Sequence, residues 1–200
     1  MSVIVLAHGA GAGKDHPWMK RVADGLERLG IRVVRFNFPY MERGRSAPDP
    51  GPVLEEAFAA VWREAAATAD GEPMFAGGKS MGGRIASQAA ARGLFVPPPA
   101  GLVYFGYPLH PPGKAGQRRD AHLPKIPMPM LFLHGTRDPF GSPEEMRELA
   151  SALPGASLEL IEEGDHSLVA TKRADPKGGS VDRAVTIAAE WIRVRSEGRS

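Results

Sequence analysis

Ser80 lies between two glycines in Gly78-Lys79-Ser80-Met81-Gly82, after an apolar run and before the helix-forming stretch Ile85 to Ala91. A G-x-S-x-G between a strand and a helix forces its serine into a tight turn. That turn lifts Oγ at a helix N-terminus, where main-chain N–H groups and the helix dipole favour developing negative charge. Ser80 is thus a candidate nucleophile. A serine needs a base, and a base needs a group that fixes its tautomer. Asp138, in His134-Gly135-Thr136-Arg137-Asp138-Pro139, and His166, in Glu163-Gly164-Asp165-His166-Ser167, are candidates for those roles. Each also has a plainer reading. An Asp before Pro stabilises its own turn, and a lone His in a polar loop is commonly a surface group. Asp165 is a poor alternative acid, because a residue adjacent to the histidine seldom reaches its far ring nitrogen.

A second glycine-rich stretch, His8-Gly9-Ala10-Gly11-Ala12-Gly13, follows the apolar run Val3 to Ala7. As an oxyanion loop it would offer the Ala10 N–H, with the Met81 N–H as second donor. It also has readings as a structural turn and as a phosphate cradle. The phosphate reading fits poorly. The glycines alternate without a G-x-x-G step, Arg35-Phe36-Asn37 stands where an acidic residue is wanted, and no G-x-x-x-x-G-K-[ST] occurs.

The elements that must position these groups follow from periodicity. Strands are predicted at Val3–Ala7, Ile31–Phe36, Pro73–Ala76, Ala100–Phe105, Pro129–His134 and Ala156–Ile161; the first is continuously apolar and rich in β-branched residues, the mark of a parallel strand buried on both faces. Between them, helical spacing predicts helices from Asp15-His16-Pro17 to Gly30, over Val53–Ala69, over Met81–Arg92, from Ser142 onward and over Val181–Val194. Ser142-Pro143-Glu144-Glu145 reads as a capping box with Pro at N1. Residues 37–52 form a long connection with three aromatics, read equally as a packed loop or a pocket wall. Residues 106–127 lack periodicity, which marks a functional or mobile connection, and Tyr107 and His110 are pocket candidates there. Every candidate then follows a strand, at the sheet edge where sites of open α/β sheets collect.

Composition narrows the class. The 200 residues, 42% of them hydrophobic, make one domain with a sizeable core. The expected organisation is a single domain over 1–195 and a polar tail over 196–200. Net charge is +2, from 25 basic and 23 acidic residues, so no nucleic-acid partner is expected. The absence of cysteine excludes thiolate chemistry and disulfides. The N-terminus lacks a charged leader, and no run approaches the ~20 apolar residues of a membrane span. A cytoplasmic protein acting without metal or cofactor on a small molecule is expected. Its oligomeric state is open.

The order Ser80, Asp138, His166 is that of the α/β-hydrolases. Across nearly its whole length the chain resembles that superfamily, above all its small, lidless members similar to dienelactone-hydrolase-like proteins. The matching residues are Gly77–Arg84, Gly106-Tyr107-Pro108-Leu109-His110, His134–Asp138 and Gly164-Asp165-His166. The resemblance implies an α/β-hydrolase fold: a minimal, mostly parallel sheet of about six strands, helices on both faces and no lid domain. It implies Ser80 as nucleophile, His166 as base and then acid, and Asp138 as the group that orients His166. His8, Lys79, Tyr107 and His110 are substrate-binding candidates, and Lys79 suits anionic or polar acyl substrates. The function implied is a serine esterase or thioesterase working through an acyl-enzyme. The alternatives are a non-catalytic binding or scaffold protein that keeps the fold and, from the first glycine loop, a nucleotide-binding module.

Overall fold

The computed structural model describes residues 1–198. Six strands, β1 (Ser2–Ala7), β2 (Ile31–Phe36), β3 (Met74–Lys79), β4 (Gly101–Phe105), β5 (Met130–Gly135) and β6 (Ala156–Ile161), pair in the order β2-β1-β3-β4-β5-β6, all parallel. The helices are α1 (Pro17–Arg28), α2 (Pro39–Glu42), α3 (Gly51–Ala67), α4 (Met81–Ala91), α5 (Pro143–Ala152) and α6 (Ser180–Glu197). Among the described residues no lid is inserted, and no helix is long and apolar enough to cross a membrane.

The period of two along each strand sorts side chains into two cores. Val3, Val5 and Ala7 face one layer, with Phe58 and Trp62 of α3, Ile85 and Ala89 of α4 and Leu149 of α5. Ile4 and Leu6 face the other, with Val22 and Leu26 of α1 and Val185, Ala188 and Ile192 of α6. Helices therefore cover both sheet faces, and the apolar runs of β1, β4 and β5 read as continuous because both sides of each strand are buried.

Local chemistry sets the helix ends. Pro occupies the first turn of α1 and α5, and Ser142 and Glu145 close the reciprocal capping box at the start of α5. Three boundaries differ from expectation. α3 starts at Gly51 and ends at Ala67; the 37–52 connection contains α2; and α6 continues through Arg193 to Glu197. In the last extension, where a polar tail was expected, Ser196 Oγ donates to the Ile192 carbonyl and lies 2.7 Å from Ser2 Oγ at the start of β1. Residues 199–200 of that tail lie outside the described residues.

Strand order reverses between β1 and β3, so their C-terminal ends flank the crevice where such sheets bind ligands. The first turn of α4 lies directly against the end of β1. A Cβ on Gly82 would sit 2.4 Å from the Ala7 carbonyl oxygen and 2.6 Å from that of His8, and one on Gly78 2.6 Å from the Ala7 oxygen. These are main-chain neighbours and cannot swing aside. Gly82→Ala is expected to lower unfolding stability by about 2–3 kcal/mol in urea titration. Gly116→Ala, at an open position, should stay within about 0.5 kcal/mol. Equal midpoints for the two variants would show that helix and strand are not in this contact.

Candidate active site

Ser80 joins β3 to α4 with φ 51° and ψ −118°, a conformation that non-glycine residues rarely adopt. The strain, of order 1–3 kcal/mol, is held from both sides. The Ser80 N–H donates to the Phe105 carbonyl at 3.1 Å, and the Ser80 carbonyl accepts from Arg84 N–H at 3.1 Å.

Three loops at one sheet edge converge on this serine. Ser80 Oγ–H donates to His166 Nε2 at 2.8 Å, and His166 Nδ1–H donates to Asp138 Oδ2 at 2.7 Å. The carboxylate accepts only, so the proton lies on Nδ1 and Nε2 is free to accept. Asp138 divides its two oxygens: Oδ1 accepts from Phe140 N–H at 2.9 Å, and Oδ2 takes the imidazole. The turn-stabilising reading and the histidine-orienting reading of Asp138 are therefore both satisfied by one side chain. The Asp138 side chain is fully buried, whereas His166 keeps 21% of its surface exposed. Asp165 is spent on its own turn, its Oδ1 accepting from the N–H groups of Ser167 and Val169.

The histidine loop is held by close backbone approach and by two side chains. Gly106 (φ +70°) and Gly135 meet the main chain of residues 164–166 at distances that leave no room for a Cβ. Lys79 Nζ donates to the His166 carbonyl at 2.6 Å, and Trp18 Nε1 donates to the Ser167 carbonyl at 2.8 Å. Phe140 stacks on the His166 ring at 4.1 Å between centroids. His134, 3.7 Å from Asp138 Oδ2 through Nδ1, donates Nε2–H to the Gly141 carbonyl at 2.8 Å, and burial lowers its pKa.

The first glycine loop is fixed from beneath. His8 is wholly buried; its Nδ1–H donates to the Gly9 carbonyl at 2.7 Å and its Nε2 accepts from Phe38 N–H at 3.0 Å. Burial lowers its pKa, which keeps this neutral tautomer. Tyr40 Oη donates to the Ala10 carbonyl at 2.9 Å, and burial pushes its phenol up to about 12, so it stays a donor. The N–H groups of Ala10 and Met81 have no acceptor within the protein among the described residues.

Between this loop and the histidine loop opens a cleft of about 570 Å³, with Lys79, Ser80 and His166 in its lining. Its apolar wall comes from Ala12, Trp18, Met19, Phe140 and Val169. Three of the expected substrate-binding residues lie elsewhere. His8 supports the loop from inside the core. Tyr107 is buried against Tyr104 and Phe132 with its hydroxyl on the Arg119 carbonyl. His110 is buried as well, donating Nδ1–H to the Pro111 carbonyl and Nε2–H to Glu145. Apolar Tyr107 and Leu109 draw the 106–127 segment into the core beside α4 and α5, away from the cleft. Residues 37–52 likewise form no cleft wall; they hold the glycine loop. In the sequence Trp18 and Met19 fall inside the helix expected before Gly30, and Phe140 lies in the short connection before Ser142. Nothing in their local pattern marks them as cleft residues.

A second serine–histidine pair, Ser87 and His122 at 2.7 Å, lies outside the cleft. Ser87 Oγ–H donates to the Arg84 carbonyl, so His122 Nε2–H donates to Ser87; burial pushes His122 down to about 4. No carboxylate bonds this imidazole among the described residues, and the pair ties residue 122 to α4. Among the described residues no three His, Asp or Glu side chains gather to hold a metal ion.

Comparison with solved structures finds the same architecture at low sequence identity. The dienelactone hydrolase of Anabaena variabilis superposes with a TM-score of 0.74 at 19% identity, over 96% of this chain and 86% of the other. Est1E of Butyrivibrio proteoclasticus, solved with ferulic acid bound, gives 0.75 at 15% identity over 98% and 89%. The monoacylglycerol lipase of Paleococcus ferrophilus gives 0.71 at 17% identity over 97% and 95%. At such identities these likenesses speak for the fold. The alpha/beta hydrolase domain family, by contrast, matches residues 1–193 of the sequence itself. With the parallel sheet, the strained serine turn and this match together, the chain belongs to the alpha/beta hydrolase family.

Proposed function

We propose that the protein is a serine hydrolase of esterase or thioesterase type, acting on small acyl substrates through an acyl-enzyme. The observation that carries this reading is the unbroken chain of hydrogen bonds from Asp138 through His166 to Ser80, at 2.7 and 2.8 Å, opening onto a cleft. A scaffold has no physical need to bury a carboxylate behind an imidazole aimed at a strained serine.

In this mechanism Ser80 Oγ attacks the substrate carbonyl carbon while its proton passes to His166 Nε2. Asp138 Oδ2 holds Nδ1–H and stabilises the imidazolium that forms. The oxyanion is taken up by the Ala10 and Met81 N–H groups, which have no internal acceptor to give up among the described residues. His166 then protonates the leaving alcohol or thiol. Water, activated by the same nitrogen, attacks the acyl-enzyme and restores Ser80. Tyr40 supports this machinery at one remove, because its hydrogen bond fixes the Ala10–Gly11 peptide, just after the donor N–H, while His8 holds the Gly9 carbonyl of the donor peptide itself.

Three measurements test the reading. A fluorophosphonate should label the wild-type protein once by intact mass, and Ser80→Ala and His166→Ala should abolish labelling. Folded wild type that resists the probe would instead support a binding or scaffold role. Asp138→Asn should lower kcat on a short 4-nitrophenyl ester by about 10³–10⁴ while the fold persists, because the amide reverses the imidazole tautomer. Tyr40→Phe should lower kcat by about tenfold with little change in KM, short of the ~10²–10³ lost when an oxyanion donor itself is removed. An unchanged kcat would exclude Tyr40 from that role.

A further inference from the structure

Among the described residues lining the cleft, Lys79 brings a primary ammonium that no carboxylate meets at ion-pair distance. Its side chain runs from the residue before Ser80 into the cleft lining. One ammonium hydrogen is donated to the His166 carbonyl, and the Trp18 ring lies 5.2 Å from Nζ. The walls beside it are the apolar faces of Trp18, Met19, Phe140 and Val169. An ammonium withdrawn from water without a partner is unfavourable, and an incoming anion relieves that penalty.

Resting on the reading of Ser80 as nucleophile, we propose that the site takes esters whose acyl portion ends in a carboxylate. That carboxylate docks on the Lys79 ammonium, and the apolar chain or ring between it and the ester lies along the Trp18–Phe140 wall. One ammonium matches one negative charge; a dianionic phosphate would call for several further donors. The other charged groups at the cleft do not cancel this preference. Asp165 is exposed, so water screens it, and its Oδ1 already accepts two main-chain N–H groups. Asp138 is buried behind His166 and bonded to it. His16 is exposed and caps α1 through Nδ1. Desolvation pushes the Lys79 ammonium down to about 8, with Asp138 and Asp165 opposing that shift more weakly. It is therefore charged at neutral pH and loses its charge as pH rises through 8.

The test compares 4-nitrophenyl hydrogen adipate with its methyl-capped diester. Wild type at pH 7 should show a kcat/KM ratio of about tenfold or more in favour of the free acid. Lys79→Met should bring the ratio to about one, and Lys79→Arg should keep most of it. Any effect of the substitution on His166 placement strikes both esters and divides out. In wild type alone, the ratio should decline towards one as pH passes 8, so the outcome does not depend on the variants folding. A wild-type ratio of about one or less overturns the proposal, as does a ratio untouched by Lys79→Met. If wild type hydrolyses neither ester and resists the fluorophosphonate, the hydrolase reading fails. The anion site is then decided by thermal stabilisation with methyl hydrogen adipate: stabilisation lost in Lys79→Met upholds it, and none in wild type overturns it as well.

Discussion

The contact on which the rest of the site depends is main chain against main chain, where the first turn of α4 rests on the end of β1. The Ala7 and His8 carbonyl oxygens lie so near Gly82 and Gly78 that a side chain at either glycine would separate strand from helix. That proximity brings the Ser80 turn alongside the glycine loop leaving β1. It also explains how a serine is kept at φ 51°, since paired sheet, packed helix and two hydrogen bonds over-determine the turn. Strain here follows from packing and serves to present Oγ.

The histidine and acid loops obey the same rule by other means. Gly106 and Gly135 permit the backbone around His166 to lie against the ends of β4 and β5, and this sets where the imidazole can reach. Polar groups then set its orientation. Asp138, fully buried, cannot be left with a free lone pair at low cost, and its two oxygens are used by Phe140 N–H and His166 Nδ1–H. Buried polar groups farther from Ser80 follow this logic too. His8 and Tyr40 each saturate a main-chain group of the first loop, so the loop's shape is settled before any ligand arrives.

Much of this was legible in the sequence. β1, β4 and β5 are short apolar runs that only a doubly covered strand explains. The G-x-S-x-G motif and the order of Ser80, Asp138 and His166 pointed to one sheet edge because each follows a strand. The pocket candidates fared differently. His8, Tyr107 and His110 follow strand ends just as Ser80, Asp138 and His166 do, yet all three turn inward and satisfy main-chain or carboxylate groups. Position along the chain is identical for the two kinds of residue; only the direction of the side chain separates them.

The sequence alone therefore determined the layers, the succession of the six strands and the five longer helices, and which residues were candidates for nucleophile, acid and base. Those properties are carried by local periodicity, by glycine at turns and by residue type. Tertiary structure decided what lines the cleft. Trp18 and Met19 from α1, Phe140 from the acid loop and Val169 from the histidine loop meet only after the sheet has aligned their elements. It also decided that Lys79 faces the His166 carbonyl with no carboxylate at ion-pair distance among the described residues. Such meetings depend on contacts between residues far apart in the chain, and no short-range pattern encodes them.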